Sequence, residues 1–185
     1  MSFLSSTAFQ LRRSNDRYDD LQHRTGLYGS FSGASFITDD ASAGLLCNIG
    51  DGIPEGGNYM TLASDGSAKL YAANTTDVQR LGNGVNTWAV GVETLGLGIP
   101  AGEKNCFTEL KVGETYAFGP GNFSTIVTTT NKYATVSDGL LVGTSTKPSA
   151  GDGYYFELDT EMGIDFFVEA NYNAFSRYNL VMRYI

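Results

Sequence analysis

The side chains able to do chemistry are few and far apart. His23 is the only histidine, Cys47 and Cys106 are the only cysteines, and together they span 84 positions. Nucleophilic catalysis requires a base positioned on the nucleophile, and a zinc site requires nitrogen and sulfur ligands at short, recurring spacings. Neither pattern is present. His23 stands among charges and reads as a solvated histidine complementing a helix C-terminus. Neither cysteine has a basic residue immediately beside it to lower its thiol pKa, so both read as reduced, buried structural thiols. Gly96, Gly98 and Gly102 are spaced GxGxxxG, and Pro100 with the strand pattern after it leaves no helix N-terminus to hold a pyrophosphate. The acidic set Glu157, Asp159, Glu161 and Asp165 offers oxygen ligands of the kind calcium takes, because the first two project from one face of a strand and the others follow at its turn. A solvated outer face explains the same residues. Carboxylate pairs suited to glycoside hydrolysis arise by chance in any sheet protein with 20 acidic residues. No catalytic residue, cofactor or metal site is assigned from the sequence, and a non-enzymatic role is expected.

The chain that must position these residues has 185 of them, a formal net charge of −8, 42% hydrophobic residues and only 17% charged ones. That length suits one domain, or one domain with an appendage. The 23 glycines and 4 prolines argue against long helices and for many tight turns. A pI near 4.5 argues against nucleic acid as a direct partner, since duplex binding depends on basic patches. The N-terminal MSFLSSTAFQLRR lacks a basic stretch followed by an apolar run, so no secretory signal is expected. No run of about 18 apolar residues suggests a membrane span. Synthesis in a reducing cytoplasm fits the two thiols.

Composition changes near Gly26. Residues 1–25 contain no glycine and hold four of the 12 basic residues, Arg12, Arg13, Arg17 and Arg24. Ser14 or Asn15 can cap a helix, Asp16 falls in its first turn, His23 and Arg24 in its last, and Gly26 follows. A short helix of about ten residues is expected, with a thin apolar stripe of Leu11, Tyr18 and Leu21. Phe3, Leu4, Phe9 and Leu11 belong to a segment too short to fold on itself, so they require a surface to dock on. Arg12, Arg13 and Arg17 can pair with carboxylates there. Residues 1–44 therefore read as an arm and connector, with 26–44 as a Gly-, Ser- and Ala-rich loop, and residues 45–185 as a β domain. Within that domain Tyr154, Phe156 and Leu158 alternate with Tyr155, Glu157 and Asp159, and Ile164, Phe166, Val168 and Ala170 alternate with Asp165, Phe167, Glu169 and Asn171. Period two with one apolar face means strands resting on a core from one side. Thr87–Leu95, Asn105–Lys111, Phe123–Asn131 and Tyr178–Tyr184 are rich in β-branched and aromatic residues, and dipeptides such as Asp138-Gly139 and Asp152-Gly153 supply turns between strands. An antiparallel sandwich or barrel follows.

A weak internal echo runs through this domain. GDGIPEGGNYMTL from Gly50 and GLGIPAGEKNCFTEL from Gly96 start 46 residues apart and share glycine, glycine, isoleucine, proline and glycine at the same offsets; KPSAGDGYYFEL from Lys147 repeats the second ending. Shared hairpin chemistry and a duplicated hairpin element facing one surface both explain it. Aromatics on outward positions, Tyr155 and Phe167 beside Glu157 and Glu169, and the C-terminal Tyr172, Phe175, Tyr178 and Tyr184, call for a second sheet, a subunit or a sugar as cover.

The segment WAVGVETLGLGIPAGEKNCFTELKVGETYAFGPG resembles the small β-rich decoration, or cement, proteins that coat the capsids of tailed bacteriophages, and LLVGTSTKPSAGDGYYFEL is similar to the same idiom. The resemblance is one of pattern over about residues 45–160. It implies a structural virion protein on the capsid exterior, commonly trimeric, whose terminal arm clamps the major capsid protein or other virion subunits. By that analogy the partner-binding residues are Phe3, Leu4, Phe9, Leu11, Arg12, Arg13, Arg17, Tyr18 and Leu21, with no contact to nucleic acid or membrane. A carbohydrate- or receptor-binding β module is the alternative.

Overall fold

Short runs of β-branched and aromatic residues, broken by glycine turns, give a nearly all-β fold. The computed structural model describes residues 9–13, 23–74, 78–81, 87–90, 98–168 and 174–185. In chain order the strands are β1 (Phe9–Arg13), β2 (His23–Ser32), β3 (Ser35–Thr38), β4 (Ala41–Ser42), β5 (Leu46–Gly52), β6 (Asn58–Leu62), β7 (Tyr71–Asn74), β8 (Val78–Leu81) and β9 (Thr87–Val90). They continue with β10 (Gly98–Ile99), β11 (Lys104–Glu109), β12 (Thr115–Phe118), β13 (Phe123–Thr125), β14 (Tyr133–Ser137), β15 (Leu140–Thr144), β16 (Tyr154–Leu158), β17 (Ile164–Val168) and β18 (Ala174–Tyr184). The single helical element described is a 3₁₀ turn, Pro120–Asn122.

Strands β2, β6, β5, β7 and β11 close into a five-stranded barrel, because β11 pairs with both β7 and β2. All its pairings are antiparallel except β2 with β6. Cys47, Met60, Tyr71, Ala73 and Phe107 fill the interior, with Leu45, Ala41 and Ile99 closing it. Gly26 is required there: a Cβ on it would meet Met60 Cγ at 2.3 Å. The second sheet runs β1-β12-β18-β16-β14-β15-β13 and curls as a half-barrel, with β17 also on β18. Its inner face, Tyr116, Phe118, Phe156, Leu180 and Met182, packs on Leu46, Leu70 and Ala72 from the barrel wall. Asn122 ties the two together, its Nδ2 donating to Ala43 O at 2.7 Å while its Oδ1 accepts from Gly119 N.

The β domain is wider than the sequence suggests. Residues 23–44, expected as the end of a helix and a connector, supply β2, β3 and β4, and β2 is the strand that closes the barrel. His23 and Arg24 pair with Thr108 and Phe107 in strand register, so the helix does not reach them; its remaining residues, 14–22, lie outside the described residues. Nor does the arm stay apart from the body, for β1 pairs antiparallel with β12, Phe9 opposite Phe118.

Candidate functional site

The N-terminal edge of the curled sheet is built around one aromatic anchor. Phe9 is buried, stacked on Tyr116 with centroids 5.7 Å apart and tilted against Phe118 at 5.6 Å. Tyr116 is itself held from both ends of its hydroxyl, which accepts from Lys111 N at 2.8 Å and donates to Glu114 Oε2 at 2.5 Å. Burial, and then the bond to Glu114, push the Tyr116 phenol far above its ordinary value. Of the residues expected to bind a partner, Phe9 is thus spent on the chain's own core. Leu11, Arg12 and Arg13 lie in the same outermost strand. Phe3, Leu4, Arg17, Tyr18 and Leu21 lie outside the described residues.

The acidic set does not converge. Asp159 is buried and fully engaged: Oδ2 accepts from Thr115 Oγ1 at 2.9 Å, and Oδ1 from the Glu161 and Met162 amides at 2.8 and 2.9 Å. It caps the five-residue excursion 159–163 that separates β16 from β17 along one edge of β18. Asn179 Nδ2 donates to Gly163 O across the same excursion. Asp165 forms a two-pronged ion pair with Arg177, at 2.9 and 2.7 Å. Glu157 lies between Lys132 at 3.8 Å and Arg183 at 3.5 Å. Among the described residues no group of three or more histidine, cysteine, aspartate or glutamate side chains is placed to hold a metal ion. A polar depression of about 300 Å³ remains on this outer face, lined by Thr115, Glu157, Asp159, Glu161, Val181 and Arg183.

Outward aromatics fare differently from expectation. Tyr155 is buried and Tyr178 is buried, whereas Tyr184 is exposed beside Tyr154. The simple alternation fails at Tyr155, which is buried beside Tyr133 with ring centroids 6.4 Å apart. Ile164, expected inward, is exposed. Phe167, Tyr172 and Phe175 have side chains outside the described residues. The aromatic surface the sequence reading missed is Phe31, Phe36 and Tyr59, with Phe31 edge-on to the other two. Its signal was present as Tyr28, Phe31 and Phe36 among small residues, but glycine and serine disguised it as a loop.

Two of the three echoed turns adjoin. Lys104 Nζ donates to Gly56 O at 3.0 Å and lies 3.9 Å from Glu55, which joins the turns after Ile53 and after Pro100. They differ in structure, for β5 and β6 form a hairpin while β10 pairs with β4. The third turn lies elsewhere, where Tyr154 N donates to Gly66 O at 2.7 Å. Cys47 lies inside the barrel and Cys106 is half-buried, and burial raises the pKa of each thiol. That suits structural thiols and not nucleophiles.

The chain matches no protein family, no curated protein and no solved structure.

Proposed function

We propose that this chain is a structural protein of a virus particle, a decoration or head auxiliary protein that binds the exterior of a tailed-phage capsid and acts without catalysis. The observation that carries this reading is the placing of β1 as an edge strand of the curled sheet. β1 lies at the rim of the curled sheet, held by Phe9, so the residues before it start at an edge where a neighbouring subunit can be met. Phe3 and Leu4 are then the apolar anchors, and Arg12 and Arg13 the charges nearest the rim. The partner is the major capsid protein or another virion subunit, and once bound on the shell the copies group as a homo-oligomer, a trimer by the resemblance. Its acidity keeps it off packaged nucleic acid, and it needs no membrane. The consumed carboxylates and raised thiol pKa values agree with a non-enzymatic role.

Particles purified from the source of the sequence test this directly. Immunogold label on the head shell is expected, and absence of the chain from purified particles would refute the proposal. Deleting residues 1–8 is expected to abolish capsid association while circular dichroism stays unchanged. Deleting residues 1–25 is not a usable version, since it removes Phe9 and the start of β2.

The polar depression beside Glu157 and Arg183 supports a second reading, a sugar-binding β module. A glycan array with and without calcium separates the two, because the capsid reading expects no specific sugar signal.

A further inference from the structure

Twelve consecutive residues, Leu27 to Thr38, carry no charged side chain in a chain of net charge −8. They form the outer half of β2 and all of β3, joined by a two-residue turn with Gly33 at φ +61. β3 ends the barrel sheet, and among the described residues it pairs with β2 alone. One face of this hairpin is aromatic, and the other carries Ile37 among Ser30, Ser32 and Ser35. Phe31 packs edge-on to Phe36 at 4.9 Å and to Tyr59 at 5.3 Å on one face, while Ile37, next to Phe36, projects from the other. Phe31 is 53% exposed and Ile37 56%.

Edge strands are ordinarily blunted by charge, proline or a bulge, since their free amides and carbonyls template further pairing. Ser35–Thr38 has none of these. The two ends of the curled sheet are poorer templates: β1 carries Arg12 and Arg13, and β13 is three residues long with an irregular register. We propose that β3 is a pairing edge for a second copy of this chain, the two strands meeting antiparallel about a two-fold axis at Ile37, so that the exposed Ile37 of each copy is covered by the other. Charge selects both the partner and the direction. Two chains of like net charge approach most easily through an uncharged hairpin. Antiparallel pairing centred on Ile37 places Asp39 opposite Ser35 and Asp40 opposite Ala34 of the other copy, whereas in-register parallel pairing would set Asp39 against Asp39. A self-complementary edge closes as a dimer. The inference does not rest on the capsid reading, because the dimer forms in solution.

The full chain, 19.9 kDa, tests it by size-exclusion chromatography with light scattering over a concentration series. Twice that mass is expected at high concentration, falling to the monomer on dilution. Ile37→Lys, which sets like charges near the axis, is expected to weaken the dimer by about tenfold or more with an unchanged circular dichroism spectrum. Ile37→Asp, which sets like charges at the axis, provides a second variant with the same expected direction. Hydrogen exchange in Ser35–Thr38 is expected to slow as concentration rises. A monomer at every concentration, a threefold mass, or a dimer indifferent to both variants would overturn the proposal.

Discussion

Tyr116 shows how a single side chain commits this fold. Its ring carries Phe9, and its hydroxyl satisfies the Lys111 amide and meets the buried Glu114 carboxylate. Tyr116→Phe keeps the ring and removes one hydrogen bond each from the Lys111 amide and the Glu114 carboxylate, so it is expected to cost about 1–3 kcal/mol, read as a lowered denaturant midpoint. An unchanged midpoint would show that the hydroxyl is dispensable. Burial also sets a pH limit. Cys47 is raised above its ordinary 9.0, and Tyr28 is pushed up to about 12, first by burial and then by the neighbouring Cys47 and Asp39. In the unfolded chain these groups lose protons from about pH 9 to 10, while the folded protein retains them. Their contribution is therefore complete below about pH 9 and lost as pH rises toward the folded values. Denaturant midpoints are expected to be level from pH 7 to 9 and to fall above that, with Cys47→Ala delaying the onset. A midpoint level to pH 11 would contradict the burial of these groups.

At the scale of elements, β1 is the piece most easily detached. Phe9 is its buried anchor, so Phe9→Ala is expected to cost about 3 kcal/mol and to speed hydrogen exchange through Phe9–Arg13 while the barrel strands keep their protection. Equal acceleration in β5 and β7 would mean that β1 is not separable. Which strands were legible in the sequence follows from how many faces each one buries. β16, β17 and β18 were found through alternation and aromatic content. β5 and β7 were not, since Leu46 faces the curled sheet while Cys47 faces the barrel interior, and Tyr71, Ala72 and Ala73 are all buried. A strand covered on both sides has no period of two to read. The hairpin β2–β3 was missed for the opposite reason, because its outward residues are glycine, serine and exposed aromatics with no charge to mark a solvent face. Of the candidate site, the thiols' character was legible and the acidic cluster was not, since the pairing of Asp165 with Arg177 and of Glu157 with Lys132 depends on strand register.

For the whole molecule, the mainly β class was evident from glycine turns and strand composition, but the expected split at residue 44 was not realised. What looked like arm and connector is woven through both sheets, because β2 supplies a wall of the barrel and β1 a rim of the half-barrel. Charge acts at this scale too. With a net charge of −8, the chain is expected to leave duplex DNA unshifted in a gel assay at physiological salt; a salt-sensitive shift would remove the argument against nucleic acid.

The place of β18 in the curled sheet sets the timing of folding. It is the last of the described strands in chain order, yet it lies between β12 on one side and β16 and β17 on the other. Until residues 174–184 leave the ribosome, Tyr116, Phe118 and Phe156 have no central strand to bring them together. The barrel likewise cannot close before β11 reaches back to β2. Nascent chains must therefore hold a half-made curled sheet until β18 emerges, whereas the barrel has all its strands once β11 is made. A chain that folds this way has reason to keep a surplus of negative charge, so that ribosome-bound neighbours repel one another while they wait.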